Sequence, residues 1–292
     1  MKTRDYKKVV ITDKALKKVL LGHPWIFGEE IIKKDEINNG EIVDVLNQKG
    51  KYIGSGFYND NSKITIRLLS RNYNDTYDYD FFKRRVNYAF NMRKETMSDL
   101  NSFRVIFGEA DGFPGLTVDK FNDVLVAQIL SLGIDVRKEM IFKALLEVMQ
   151  ENDIKIRGIY ERNDVQLRNL EGLDEYKEWY GSFEGKTETE IIENDIKYVV
   201  DFENGQKTGY FLDQKYNRLK IREFARNKNV LDCCTHTGSF AMNAYKGNAK
   251  KVTALDVSSQ AIETAKRNFD LNKMKIETVC DDVFEYLKKI QG

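Results

Sequence analysis

The residues best placed to do chemistry lie in one run, Val230-Leu231-Asp232-Cys233-Cys234-Thr235-His236-Thr237-Gly238, which continues into Ser239-Phe240. An apolar strand that ends in a polar loop, turns at a glycine and feeds a helix aims backbone N–H groups and the helix dipole at whatever lies above the sheet. Two further carboxylates stand at matching places. Asp256 closes the next apolar strand, 24 residues after Asp232, where it can accept both hydroxyl hydrogen bonds of a ribose. Asp282 closes a third strand, or Asp281 if that strand ends one residue early. Its carboxylate is placed for an adenine amino group, with the Val283 N–H facing the ring.

The loop chemistry discriminates between nucleoside cofactors. A dinucleotide pyrophosphate needs G-x-G-x-x-G so that it can approach the backbone, and this loop holds a single glycine. Adenosylmethionine has no phosphate; its zwitterionic tail and sulfonium suit hydroxyl and amide contacts from Thr235, Thr237 and Gly238. Asp256 fits either cofactor. Upstream, Gln206-Lys207-Thr208-Gly209 offers Lys207 as an ion pair for the cofactor carboxylate, with Thr208 beside it. The expected cofactor residues are therefore Asp232, Thr235, Thr237, Gly238, Asp256, Asp282, Val283, Lys207 and Thr208. Plainer roles exist for several of them: Asp282 can simply cap the helix that starts at Val283, and Gln206 to Gly209 can be a polar turn. His236 reads as a loop residue rather than a general base.

The rest of the chain must position these groups. At 292 residues, with 41% hydrophobic and 32% charged residues and two prolines, the chain should form two or three compact units and not a disordered array. The basic N-terminus has no apolar h-region, and no run approaches the roughly 18 apolar residues of a membrane span. A cytoplasmic protein is the expectation. Cys233, Cys234 and Cys280 are neither spaced for a metal nor even in number, so reduced thiols and no metal site are expected.

Net charge is only +1, but the cations cluster. Residues 2–18 hold seven Lys or Arg against two Asp, and residues 215–228 hold six against Glu223. Such clusters suit a polyanion such as RNA, and Lys7, Lys8, Lys17, Lys18, Lys215, Arg218 and Arg222 are the candidate contacts. Charge runs are also commonly just solvated faces.

Alternation and turn signals predict strands at Lys8–Ile11, Glu41–Leu46, Tyr52–Tyr58 and Ile64–Leu69, the content of a small β barrel over residues 1–73, with one or two helical turns at Ala15–Leu21. An α+β region over 74–187 follows. It has a helix over 78–100, a turn at Asp111-Gly112-Phe113-Pro114-Gly115 whose glycines supply positive φ, strands at 116–121 and 124–130, a helix over 136–151 and a strand at 158–161. From 188 a hairpin turns at Glu193-Asn194-Asp195. A basic helix carrying Leu212, Tyr216 and Leu219 at i, i+4 and i+7 comes next, and then three strand–helix repeats that imply a parallel sheet.

The segments Asn204-Gly205-Gln206-Lys207-Thr208-Gly209-Tyr210-Phe211-Leu212-Asp213-Gln214, Leu231 to Phe240 and Leu255-Asp256-Val257-Ser258 resemble the RlmI-type class I methyltransferases, a family that acts on cytosine carbon 5 of large-subunit ribosomal RNA. Gly22-His23-Pro24-Trp25-Ile26-Phe27 resembles the start of that family's PUA RNA-binding domain, and Asp111 to Leu116 its middle domain. His23-Pro24-Trp25 itself reads as a packed structural turn. The resemblance covers nearly the whole chain. It implies an N-terminal PUA-like β barrel, an α+β middle domain and, over 188–292, a Rossmann-like α/β methyltransferase domain, with S-adenosylmethionine as cofactor and ribosomal RNA as partner.

The same resemblance implies a seven-stranded catalytic sheet, of which residues 229–292 supply three strands, so the domain is expected to be incomplete. The family's base-holding D-P-P-like motif and its cysteine nucleophile, whose thiolate attacks cytosine carbon 6 before methyl transfer to carbon 5, are expected beyond Gly292. No residue here is assigned those roles. The first strand of the sheet should then show a bare edge, so that the chain is a fragment or a partner, such as a second copy in a homodimer, covers it. Two other functions are consistent with the residues: a non-catalytic RNA-binding protein with a vestigial cofactor fold, and a methyltransferase of small molecules, which would leave the barrel and the basic clusters without a task.

Overall fold

The computed structural model describes residues 4–291. It divides into two compact units; the first runs to Glu184 apart from Asn101–Phe103, which belong with residues 185 onward in the second.

The first unit opens with β1 (Lys7–Ile11), α1 (Asp13–Leu20), β2 (Trp25–Ile26), β3 (Ile31–Lys34), β4 (Ile42–Leu46), β5 (Tyr52–Tyr58) and β6 (Ile66–Ser70). These strands form one mixed sheet in the order β2-β6-β5-β4-β1-β3, with β1 and β4 parallel and the other pairs antiparallel. It curls around Val9, Ile11, Val43, Val45, Tyr58 and Ile66, and α1 adds Ala15 and Val19. Thr12 starts α1, its hydroxyl accepting the Ala15 N–H at 3.2 Å. Strands as short as β2 and β3 carry no alternation to read, and sequence reasoning missed both.

The remainder of this unit contains α2 (Tyr79–Thr96), β7 (Ser102–Phe107) from Arg104 on, β8 (Leu116–Phe121), β9 (Val124–Ile129), α3 (Leu132–Asp135), α4 (Lys138–Glu151), β10 (Gly158–Asn163) and β11 (Tyr176–Trp179). The sheet order is β11-β10-β9-β8-β7. Helices α2 and α4 bury Phe81, Phe82, Val86 and Phe90 with Ile141, Phe142, Leu145 and Val148. The curled sheet joins this α+β region through buried polar contacts: Arg67 Nη2 meets Glu171 at 2.9 Å, and Arg137 Nη1 donates to the Gly40 carbonyl at 2.8 Å. The His23-Pro24-Trp25 turn belongs to the same seam, since Trp25 Nε1 donates to Glu109 at 2.8 Å.

The second unit begins with the antiparallel hairpin β12 (Glu188–Glu193) and β13 (Ile196–Asp201). Its turn residues Asn194 and Asp195 sit at φ 53° and 57°, the left-handed pair of a tight hairpin. Then come α5 (Lys215–Ala225), β14 (Asn229–Cys233), α6 (Ser239–Lys246), β15 (Lys251–Asp256), α7 (Ser259–Leu271), β16 (Glu277–Cys280) and α8 (Val283–Gln291). The three strands run parallel in the order β14-β15-β16, with Asp232 opposite Ala254 and Asp256 opposite Cys280. Among the described residues no strand pairs with the outer side of β14, and Val230 and Leu231 are only half-buried. No helix of the described residues is long and apolar enough to cross a membrane.

Candidate functional site

The loop after β14 is built around the Asp232 carboxylate. Its Oδ2 accepts the Thr235 hydroxyl at 2.6 Å and the Ala241 N–H at 2.9 Å, so it ties the strand end to the first turn of α6. Burial pushes the Asp232 pKa up, against the pull of these two donors. Within the loop Cys234, His236 and Gly238 all have positive φ, at 57°, 52° and 79°. Three alternate residues thus adopt a conformation usually given to glycine. A count of glycines saw only the last of them. The curvature that turns backbone N–H groups over the sheet is present without the glycine code.

Asp256 stands opposite this loop. Its Oδ2 accepts the His236 N–H at 2.9 Å and its Oδ1 the Ser258 N–H at 3.0 Å. Asn268 on α7 holds the far side of the loop, donating to the Thr237 carbonyl at 2.9 Å. The His236 ring meets Phe211 edge-on at 5.4 Å, and burial lowers its pKa against the opposing pull of Asp256.

Between these groups lies a cleft of about 630 Å³, a size typical of small-ligand sites. Its floor is Cys234 to Thr237 and Asp256, one wall is Asn204 to Gln206 with Gly209 to Phe211, and the start of α7 closes the other side. Two polar groups in it lack protein partners among the described residues. Thr237 Oγ1 is buried without a hydrogen bond. Arg218 lines the cleft and uses Nε and Nη2 on protein acceptors, while its Nη1 donates to none. An unmatched hydroxyl and an unmatched cationic donor beside a carboxylate fit a ligand bearing a carboxylate and a ribose.

The sequence-derived cofactor residues separate into two groups. Thr235, Thr237 and Asp256 line the cleft. Asp232 and Gly238 stand behind it and shape the loop. Lys207 turns away from the lining: its ammonium sits 4.3 Å from the Phe211 ring centroid and 3.2 Å from Asp213, while Thr208 is buried. Asp282 caps α8, its Oδ1 accepting the Phe284 and Glu285 N–H groups at 2.8 and 3.1 Å, and neither it nor Val283 is part of the cleft. Asp282→Ala is therefore expected to cost about 1 kcal/mol of stability in urea unfolding while leaving cofactor affinity within about twofold by calorimetry; a large affinity loss at unchanged stability would reverse that assignment.

The RNA-contact residues separate as well. Lys8 and Lys17 are exposed; Lys7 pairs with Glu41 at 3.0 Å, and Lys18 pairs with Glu30. The three on α5 lie elsewhere than expected. Lys215 and Arg218 are buried, and Arg222 is half-buried, donating to Asn243 at 3.0 Å and to the Asn194 carbonyl. Helix α5 turns Lys215 and Arg218 inward, keeps Lys220 at the surface and leaves Tyr216, Leu219 and Phe224 exposed. The reason is Glu193. Its carboxylate is fully buried and accepts Arg218 Nε at 2.6 Å and Nη2 at 2.8 Å. Burial works against the guanidinium's charge, but Glu193, with smaller help from Tyr210 and Tyr198, offsets it and holds the pKa above the usual arginine value. Arg218 Nη2 also donates to the Phe211 carbonyl at 2.9 Å, and its guanidinium stacks 4.5 Å from the Tyr210 ring centroid.

Sequence reasoning missed Arg218 as a cleft residue, and with it Asn204, Gly205, Tyr210, Phe211 and Phe240. The Asn204 to Gln214 segment was visible as a motif, but which of its side chains face the cleft was not.

A parallel β-α sheet with a ligand cleft above its strand ends defines a Rossmann-like domain. Residues 160–291 match the S-adenosylmethionine-dependent methyltransferase family, and residues 9–71 match a PUA-like domain. The chain is 39% identical to the ribosomal RNA large subunit methyltransferase I of Pseudoalteromonas atlantica over 280 residues, which are 93% of this chain and 69% of that protein. To the protein of the same name from Escherichia coli it is 35% identical, over 96% of this chain and 71% of the relative. In fold it is similar to a Streptococcus mutans protein described as a SAM-dependent methyltransferase, with a TM-score of 0.79 at 21% identity over 97% of this chain and 73% of the other. A second structure, of a protein described as a methyltransferase and solved with SAH, gives a TM-score of 0.81 at 21% identity over 97% and 72%. The chain belongs to the ribosomal RNA large subunit methyltransferase I family.

Proposed function

We propose that this chain binds S-adenosylmethionine in the cleft over β14 and β15 and serves methylation of large-subunit ribosomal RNA at cytosine carbon 5. The observation that carries the cofactor reading is the pair of unmatched groups beside Asp256, the Thr237 hydroxyl and Arg218 Nη1. Asp256 would take the ribose hydroxyls, and its own hydrogen bonds to His236 and Ser258 hold it in place for that task. Arg218 would take the methionine carboxylate, the role the sequence suggested for Lys207. When bound, the cofactor supplies an electrophilic methyl group on its sulfonium. The Phe211 and His236 rings and Phe240 supply the apolar part of the cleft lining.

The attacking group is assigned to no residue of this chain. Residues 1–73 serve as the RNA-binding barrel, with the exposed Lys8 and Lys17 as its first candidate contacts and Lys7 and Lys18 available only by leaving Glu41 and Glu30, 74–187 as a middle domain, and 188–292 as the catalytic domain. A ribosomal substrate implies work in the cytoplasm.

Calorimetric titration with adenosylmethionine tests this reading. Asp256→Ala is expected to weaken binding at least 100-fold, the loss of two charge-assisted hydrogen bonds at about 1.5–3 kcal/mol each, with RNA affinity unchanged. No cofactor binding by the parent chain, with RNA affinity retained, would instead favour a non-catalytic RNA-binding protein.

A further inference from the structure

The Asp111-Gly112-Phe113-Pro114-Gly115 turn has no part in the cofactor cleft, yet it shapes a second groove, of about 860 Å³, within the first unit. The groove runs between the end of β6, one face of α2 and the turn itself. Three carboxylates border it, and each already has its own cation or donor set. Asp111 takes both Arg93 Nη atoms at 2.6 Å. Asp75 accepts from Arg84 at 3.2 Å and from Ser70 at 2.5 Å. Glu109 takes Trp25 Nε1 and lies 3.6 Å from Arg67.

Arg85 is the exception. Among the described residues its guanidinium has no carboxylate within salt-bridge distance, and its one hydrogen bond is from Nη1 to the Gly112 carbonyl at 3.1 Å. Nε and Nη2 donate to no protein acceptor. The cation is nonetheless held in place, 4.5 Å from the Phe81 ring centroid. Gly112 leaves it room: φ is +75°, and a Cβ there would lie 1.7 Å from Arg85 Nη1. One helical turn further along the same face, Tyr88 is 66% exposed.

A guanidinium with an open fork, no carboxylate within salt-bridge distance and a neighbouring exposed ring matches a phosphate followed by a base. Asp111 and Asp75 are paired with Arg93 and Arg84, which lowers the repulsion a polyanion would meet in the groove. We propose that this groove binds single-stranded RNA, with Arg85 on a phosphate and Tyr88 stacked on the adjoining base. The proposal rests on the RNA reading above and adds a second contact surface, apart from the cationic face of the barrel. A carboxylate side chain of a protein partner would satisfy Arg85 but would leave Tyr88 without a planar ligand.

The test is fluorescence anisotropy of the full chain with a labelled oligoadenylate of about ten nucleotides, titrated across salt. Arg85→Gln is expected to weaken binding about tenfold and to flatten the log–log salt slope by about 0.7, the loss of one phosphate contact on a single strand. Tyr88→Ala is expected to weaken binding roughly tenfold with the slope unchanged, and Tyr88→Trp to restore it. Because Tyr88 lies on the surface, its variants keep the fold. If the parent chain binds the oligonucleotide and both Arg85→Gln and Tyr88→Ala bind it equally well with the parent slope, the groove assignment is overturned and the RNA reading stands. If the parent chain binds none even at low salt, both fall.

Discussion

Glu193→Ala is expected to destabilise the second unit by about 3–5 kcal/mol, the usual result of leaving one partner of a buried ion pair uncompensated. Glu193 and Arg218 are 0% and 1% exposed and meet through two hydrogen bonds of 2.6 and 2.8 Å. Without the carboxylate, a desolvated guanidinium would have only the Phe211 carbonyl and the Tyr210 ring for company. The segment from Asn204 to Phe211 is anchored through this guanidinium, so the cleft wall should loosen and cofactor binding should fail along with stability. A paired substitution separates the two effects. Glu193→Leu with Arg218→Met replaces the ion pair by apolar groups of similar volume, a change that buried pairs often tolerate, and urea unfolding should return to within about 2 kcal/mol of the parent chain. Adenosylmethionine affinity should not return, because Nη1 is gone. A stable double variant with parent affinity would show that Arg218 only braces the wall and contacts no ligand.

Arg218 also marks where reading the sequence stopped. The hairpin from β12 to β13, the β14 to β16 succession and the strand-end placement of Asp232 and Asp256 all follow from local patterns: alternation, turn residues and the spacing of carboxylates. Helix α5 does not. Its apolar residues at i, i+4 and i+7 argue for Tyr216 and Leu219 inside, but these are exposed, and Lys215 and Arg218 are buried. What reverses the helix is a single carboxylate at the end of β12, 25 residues away in sequence. No window of local periodicity contains both partners. Glu193 inside an otherwise apolar alternation, Ile191 and Ile196 being fully buried on either side, was the available signal, since an acidic side chain on a buried face demands a cation from elsewhere. Asp282 is the opposite case. Local chemistry accounts for its Oδ1 as a helix cap, while the wider pattern of strand-end carboxylates places it in the expected cofactor set.

Gly238→Ala is expected to cost about 2–5 kcal/mol, from about 1–2 kcal/mol for a left-handed residue with a side chain and about 1–3 kcal/mol for overpacking, and to abolish adenosylmethionine binding. Backbone conformation alone does not explain the glycine, because Cys234 and His236 adopt positive φ in the same loop with their side chains in place. Space does. A Cβ on Gly238 would lie 2.4 and 2.7 Å from Phe269 Cε1 and Cζ and 3.2 Å from the Ala265 Cβ. Phe269 and Ala265 are core residues of α7, which packs against β13, β15 and β16. Neither can yield without shifting the helix. Cys234, by contrast, is exposed, and its side chain meets no such wall. The distinction can be measured: adding Phe269→Leu to Gly238→Ala removes the contact but not the backbone strain, so urea unfolding should recover part of the overpacking loss, and calorimetry should recover part of the affinity. Gly238→Ala with unchanged stability and affinity would mean that α7 moves freely against the loop, and the close approach of helix and loop would then have no part in forming the cleft.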